Sequence, residues 1–497
     1  IRIRLSNQEF TDPNSEIFTV TFDGIDTVAG HDCYAIKITT NINTDAFIFY
    51  INTETFLLDK TVSLMGDESQ TTWWGDYREI DGLKVAFSIS EMIHQTGQAQ
   101  TTTLSSYVSN PEIDLSIFDA PEEGAKDYRF TNGTSAENIP FRLIGNHLFI
   151  KATVGCKERW WILDTGAAMT VINASFADSL GLKQEGEIKG RGAGGVVNVG
   201  FTTLPSFSLL GIEFDKQTAA VIDMDELIQQ IGVDIAGILG FDFLSRFVTK
   251  VDYANELVSF YEPETFAYDG NGTVLEIHMK DNVFLAQATL DGKHSGSWLF
   301  DLGAGTTSLD GAFALREGYA GMKGVEGIAR GAANAFLSKS ARAKSLDIAG
   351  FTIDNPMISF SYGGTDTTYH ADRVGILGNS LFRNFVLYVD YSREQVILEK
   401  GAQFNSAFPV NTSGIQLTHD ADHNVVVLHV SPGSPAESAG FSKGDLLMSI
   451  NGIDMEYTGG IIAVRELLTK APGTTYTVGI APDGKDMEFK LTLANLY

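Results

Sequence analysis

The sequence predicts a mainly β protein: two copies of one β-rich unit, 139–267 and 268–406, between an N-terminal antiparallel β-sheet domain, 1–138, and a small C-terminal domain, 407–497. Three observations carry this. Strand-like runs are broken by turn residues, and 50 glycines and 32 phenylalanines favour strands and tight turns over long helices. Three markers recur in the same order. Asp164 returns as Asp301, 137 residues on (301 − 164), while "GILG" at 237 and "VDY" at 251 return at 375 and 389, each 138 residues on (375 − 237, 389 − 251). Finally, 497 residues exceed one ordinary core, so several domains are expected.

Composition removes several classes of function. A formal net charge of −28 argues against a nucleic-acid partner and against an anionic membrane surface. No apolar run reaches the length of a membrane span; because the chain starts at Ile1, the only membrane attachment expected is an anchor upstream of that residue. Cys33 and Cys156 are the only cysteines, too few for a disulfide-dense scaffold or a cysteine-based zinc site. The 9 histidines are scattered and none forms H-E-x-x-H, so neither metal nor cofactor is expected.

Taken in order, the first region alternates like exposed sheet in "DCYAIKITTN", "AFIFYINTETFLLDKTVSL" and "DYREIDGLKVAFSI". Its "DG" at 81–82 reads as a hairpin turn, and "DAPEEGAKDYRF" as a polar exit. Each repeated unit then has one grammar. An apolar strand ends in D-x-G-A: Asp164-Thr165-Gly166-Ala167 in "WWILDTGAAMTVI", Asp301-Leu302-Gly303-Ala304 in "SWLFDLGAGTTSL". A Gly-rich segment follows, at 190–200 with Gly192, Gly194 and Gly195 and again at 327–336, suited to mobile hairpins over a cleft. An apolar strand leads to GILG, a short amphipathic helix and a V-D-Y strand.

A lone carboxylate at the end of a buried strand is costly unless it has a partner or a task. Two like units packed about a pseudo-two-fold axis would bring Asp164 and Asp301 together. Such a pair shares one proton over a wide pH range, because two adjacent carboxylates cannot both ionise cheaply. The ionised member can take a proton from an attacking water while the protonated member donates to a peptide carbonyl, which is what acid–base amide cleavage needs. The alternative, two structural Asx turns, explains each loop but not why diverged copies keep the carboxylate at one place relative to GILG.

"ILDTGAAMTVI" with "GILGFDFL" resembles the retropepsin-like and pepsin-like aspartic proteases, and residues 139–406 resemble the two lobes of the bilobal enzymes. The resemblance implies catalytic roles for Asp164 and Asp301, motif glycines at Gly166 and Gly303, loop support from Ala167 and Ala304, and a cross-loop hydrogen bond from Thr165. The second copy departs from the family pattern at Leu302, where Thr or Ser is the rule. Leucine cannot donate that bond, and an unpaired polar contact at a buried junction costs on the order of 1–3 kcal/mol.

The C-terminal stretch "SPGSPAESAGFSKGDLLMSINGIDM" resembles the PDZ domain of bacterial protease-associated proteins. That implies a groove in which Gly414, Ile415, Gln416 and Leu417 receive a peptide C-terminus, with a helix at about 461–470 as the other wall. Val464 and Leu468 on that helix also suit plain core. "FYINTETFLLDK" and "YREIDGLKVAFSI" resemble later strands of the curved sheet of periplasmic lipoprotein carriers, without implying lipid binding. Together the resemblances imply an exported aspartic endopeptidase, periplasmic, outer-membrane-associated or extracellular, acting on peptides or unfolded proteins. Two competing readings are a peptide-binding protein with a weakened dyad and a structural or envelope-assembly protein.

Overall fold

The structure is a computed structural model that describes residues 15, 17–41, 45–65, 68–94, 97–114, 126–362, 373–481 and 486–497. It is mostly strand, and the chain divides into two compact units: Ile1–Ala125 with Ile188–Gly190, and the remainder of Lys126–Tyr497.

The first unit is a seven-stranded antiparallel meander with its strands in sequence order, from Phe18–Val28 to Gln98–Thr103. The turn expected at Asp81-Gly82 joins Glu68–Ile80 to Leu83–Ile93, with both residues at positive φ (49° and 81°), as a two-residue hairpin requires. Of the polar exit expected at 119–130, residues 119–125 lie outside the described residues, while Tyr128–Phe130 is no exit but a strand of the second unit, paired with Ile212–Phe214 because Tyr128 and Phe130 pack against its core. Cys33 and Cys156 are both free thiols.

In the second unit, Lys157–Leu163 runs parallel to Ile235–Leu239, while Val171–Asn173 lies antiparallel to that strand and parallel to Gln217–Ile222. The same relations recur between His294–Phe300, Gly375–Leu377, Thr307–Leu309 and Met357–Ser361. The strand carrying each aspartate is thus hydrogen-bonded to the strand of its own GILG. The two V-D-Y strands, Val248–Asp252 and Phe385–Asp390, pair antiparallel with Val251 opposite Leu387. Leu257–Tyr261 with Ser135–Ile144, and Gln395–Lys400 with Thr273–Lys280, flank them to complete a six-stranded platform. One face of this platform is buried in the core: Phe260, Leu387 and Leu398 are wholly buried in the cluster that also holds Trp161, Trp298 and Leu302, while Thr273–Lys280 alternates between buried and exposed residues. The short helices after each GILG are Phe241–Leu244 and Asn379–Phe382.

Residues 411–497 form a separate small core between a two-stranded sheet, Ile415–His419 with Val425–Val430, and a four-stranded one. The wall helix runs Gly460–Leu467, and Val464 and Leu468 are buried, as plain core residues are. Among the described residues no helix is long and apolar enough to cross a membrane.

Candidate active site

Each aspartate stands where a buried strand meets a turn that the neighbouring GILG strand grips. Asp164 N–H donates to Leu239 O (3.1 Å) and Asp301 N–H to Leu377 O (3.0 Å). Past each carboxylate, Phe241 N–H donates to Ala167 O (2.9 Å) and Asn379 N–H to Ala304 O (2.8 Å). The Gly240 and Gly378 amides donate to the hydroxyls of Thr170 and Thr307, each at 3.3 Å. The two loops are therefore anchored by equivalent bonds, 137 residues apart (301 − 164).

The carboxyl groups of Asp164 and Asp301 lie within hydrogen-bonding reach of each other. Both aspartates are half-buried. Gly166 N–H donates to Asp164 Oδ1 and Gly303 N–H to Asp301 Oδ1, each at 2.7 Å, and Ala304 N–H adds a bond to Asp301 at 3.0 Å. The two glycines are sterically required. A Cβ on Gly166 would stand 2.6 Å from the Asp301 carboxyl carbon, and one on Gly303 would stand 2.2 Å from that of Asp164.

Burial raises the pKa of Asp164 well above the ordinary carboxylate range, and the charge of Asp301 pushes it further. Burial also raises Asp301, but hydrogen bonds from Asp164 and from the amides of Gly303, Ala304 and Gly166 hold it back. The two carboxyls titrate as one unit, both raised above the ordinary carboxylate range, so they share a proton between them.

Thr165 is wholly buried and bridges the loops: its hydroxyl donates to Phe300 O (2.7 Å) and accepts from Leu302 N–H (3.0 Å). Leu302, also wholly buried, returns no such bond. A different clasp holds its loop. Asn379 Nδ2 donates to Leu302 O (2.6 Å), and the Tyr253 hydroxyl donates to Asn379 Oδ1 (2.6 Å). Tyr253 belongs to the first V-D-Y, so this chain again crosses between the repeated segments. The matching position in the first segment is Phe241, whose ring meets Tyr391 edge-on at 5.4 Å. Among the described residues the buried Tyr391 hydroxyl has no hydrogen-bond partner.

The glycine-rich segments meet at their tips. Ala333 N–H donates to Ala193 O (3.0 Å) and Asn334 Nδ2 to Gly194 O (3.1 Å). Gly194, at φ 88°, leaves no room for a side chain, since a Cβ would lie 2.5 Å from Asn334 O. Gly192 ends the strand Glu185–Gly192 and Gly195 begins Gly195–Leu204, so both bracket this tip. His147 is a residue that sequence reasoning missed. From the Ser135–Ile144/His147–Val154 hairpin it donates through Nδ1 to Gly303 O (2.8 Å), directly behind the Asp301 loop. Nothing in a scattered histidine signals that contact.

Gly414, Ile415, Gln416 and Leu417 sit at the start of the first C-terminal strand, and each has an intramolecular partner. The Gly414 N–H donates to Asn411 Oδ1 (3.3 Å) and Ile415 N–H to Ser413 Oγ (3.0 Å). Gln416 Oε1 accepts from Ile328 N–H (2.6 Å), and Leu417 O accepts from Arg465 (2.7 Å). Among the described residues no three His, Cys, Asp or Glu side chains gather as metal ligands.

Residues 150–243 match the family described as Aspartyl protease, a stretch that holds Asp164 and the first GILG but ends before Asp301. Residues 413–493 match the PDZ domain. No curated protein matches the chain. The chain contains an aspartyl-protease family domain followed by a PDZ domain, and the first of these classes it among the aspartic-type peptidases.

Proposed function

We propose that this protein is an aspartic endopeptidase in which residues 139–267 and 268–406 are the two lobes and Asp164 and Asp301 the catalytic pair. The observation that carries this is the close facing of the two carboxyls, each packed against the other loop's glycine so tightly that a Cβ there would stand 2.6 Å (Gly166) or 2.2 Å (Gly303) from the opposite carboxyl carbon. In the reaction, Asp301 as carboxylate takes a proton from a water attacking the scissile carbonyl, while the Asp164 carboxyl donates its proton to the carbonyl oxygen. Collapse of the tetrahedral intermediate returns a proton to the leaving amine. The paired tips at Ala193–Gly194 and Ala333–Asn334 act as flaps that close over a bound peptide. The substrate is a peptide or unfolded protein, and the PDZ domain docks a peptide C-terminus. Export is part of this reading, through the resemblance of its modules to exported bacterial proteins.

Leu302 by itself would favour a peptide binder with a weakened dyad. The Tyr253–Asn379 clasp on the Leu302 carbonyl supports the active enzyme instead. The test is cleavage of an unfolded protein across about pH 3–7, a window around the ordinary carboxylate pKa, with a pepstatin-type inhibitor as control. Asp164→Asn and Asp301→Asn should each remove nearly all activity. The double variant should be little worse than either, because the two groups act as one unit. Activity that survives either substitution would sink the aspartic mechanism.

A further inference from the structure

The PDZ groove lies between the strand Ile415–His419 and the helix Gly460–Leu467, and the protein's own chain occupies its side. Among the described residues the outer edge of Ile415–His419 has no strand partner, since its one neighbour in the sheet is Val425–Val430. A helix of the protease region, Asp225–Ile231, packs there instead. Arg465, on the groove helix, spans the gap: one guanidinium nitrogen donates to Ile231 O (2.7 Å), the other to Leu417 O (2.7 Å) and to Gln230 O. The Gln230 and Ile231 carbonyls are the last of the 225–231 helix, where its dipole favours a cation. The fit is close, since a Cβ on Gly232 would stand 2.4 Å from Ile461 of the groove helix. Arg465 is half-buried, and its desolvation pushes its pKa down to about 10, so it stays charged at neutral pH.

The same arrangement reaches the flap. The strand Gly324–Arg330 leads to the 331–334 tip and, among the described residues, pairs only with Ala335–Arg342. Its open edge is taken by the PDZ domain, where Ser431 Oγ donates to Glu326 O (2.6 Å) and Ile328 N–H donates to Gln416 Oε1 (2.6 Å). At the end of that strand, Arg330 binds the 225–231 helix through Glu226 (2.6 Å) and Gln230 (3.2 Å). The groove, the plugging helix and the flap strand are therefore tied to one another by hydrogen bonds.

We propose that the PDZ groove is a latch on the flap, held shut by the 225–231 helix, and that a protein or peptide ending in a free carboxylate with an apolar last residue releases it. An incoming peptide strand needs the Leu417 carbonyl, which Arg465 holds, and its carboxylate needs the amides of Gly414 and Ile415, which Asn411 and Ser413 hold. Seating the peptide breaks those contacts, detaches Arg465 from the helix and frees the Glu326–Ile328 edge. The flap then opens more readily and substrate enters. The regulated activity rests on the dyad reading above; the latch does not.

The experiment uses the full chain, a fluorogenic substrate with an amidated C-terminus, and a short peptide ending in a free valine beside its own amide. The acid peptide should raise kcat/KM on the order of tenfold, within the usual range for coupled sites. It should also speed hydrogen exchange of the backbone amides in 324–342, and the amidated peptide should do neither. Arg465→Met should be active at the stimulated level without peptide and respond no further. Should that variant fail to fold, Gln416→Ala, which removes only the Ile328 bond, should move activity and exchange in the same direction. Peptide binding that changes neither activity nor exchange overturns the latch, and so does inhibition. Faster flap exchange in a protein that cleaves nothing upholds the latch and refutes the dyad reading.

Discussion

Replacing Tyr253 with Phe removes one hydroxyl and no other heavy atom, so it isolates the clasp that stands in for the missing hydroxyl of Leu302. Tyr253 and Asn379 are almost wholly buried, and the two bonds of the clasp are each 2.6 Å. Without the hydroxyl, Asn379 Oδ1 is left buried and unpaired, which costs about 1–3 kcal/mol. For a unit of this size that lowers Tm by about 2–4 °C per kcal/mol. Stability alone does not separate a positioning residue from packing; the Asp301 loop does. Asn379 holds the Leu302 carbonyl, and the next two amides, Gly303 and Ala304, donate to Asp301. A slack loop weakens those bonds, which hold the carboxylate form of Asp301 in place. The apparent pKa of the acidic limb should therefore rise, moving the acid side of the kcat profile to higher pH. If about 1.4 kcal/mol of loop order is lost from the transition state, kcat falls about tenfold. The assay is kcat and KM for a peptide substrate from pH 3 upward, with a melting curve at each pH. Leu302→Thr in the same background should restore activity, because it supplies the hydroxyl that Thr165 supplies from the other side. A lower Tm with an unmoved acid limb, unchanged kcat and no rescue would refute the positioning role.

The dyad should also destabilise the fold at neutral pH. A carboxyl whose folded pKa lies above its unfolded value contributes stability below the unfolded value and loses it as pH rises through the folded one. Asp164→Asn removes that penalty, so it should raise Tm at pH 7 and do so less or not at all near pH 3.5; an equal shift at both would refute the assignment of the proton to Asp164. At the flap tip, Asn334→Ala deletes the bond to Gly194 O and should raise KM a fewfold with little effect on kcat, measured by steady-state cleavage. A fall in kcat with unchanged KM would place Asn334 in the chemistry rather than in substrate closure.

Much of the candidate site was legible because a carboxylate at the end of a buried strand comes with short-range context. An apolar run ending in D-x-G-A marks a buried strand delivering a charge to a turn, and the 137-residue echo (301 − 164) shows that the turn is used twice. GILG and V-D-Y were legible as strands for the same reason, and their spacing placed them beside the carboxylates. The Asp81-Gly82 hairpin was legible from turn chemistry alone. Leu302 was legible as a defect, since the family pattern calls for a hydroxyl there.

The remedy for that defect was not legible. Tyr253 lies 126 residues from Asn379 in the chain and His147 lies 156 from Gly303, so no local pattern couples them. The glycines at 192, 194 and 195 read as a mobile hairpin; only the three-dimensional structure shows that their tip meets Ala333 and Asn334. Gly414 to Leu417 read as an open receptor for a peptide end, yet the fold brings Asn411, Ser413, Ile328 and Arg465 onto those same groups. The secondary elements, the two carboxylate turns and the two recognisable modules could be read from the chain, because these depend on propensity, periodicity and bonds between near neighbours. What grips the Asp301 loop, and which groups reach the strand at 415–419, emerges only in three dimensions, because each depends on burial and on hydrogen bonds between residues far apart in the chain.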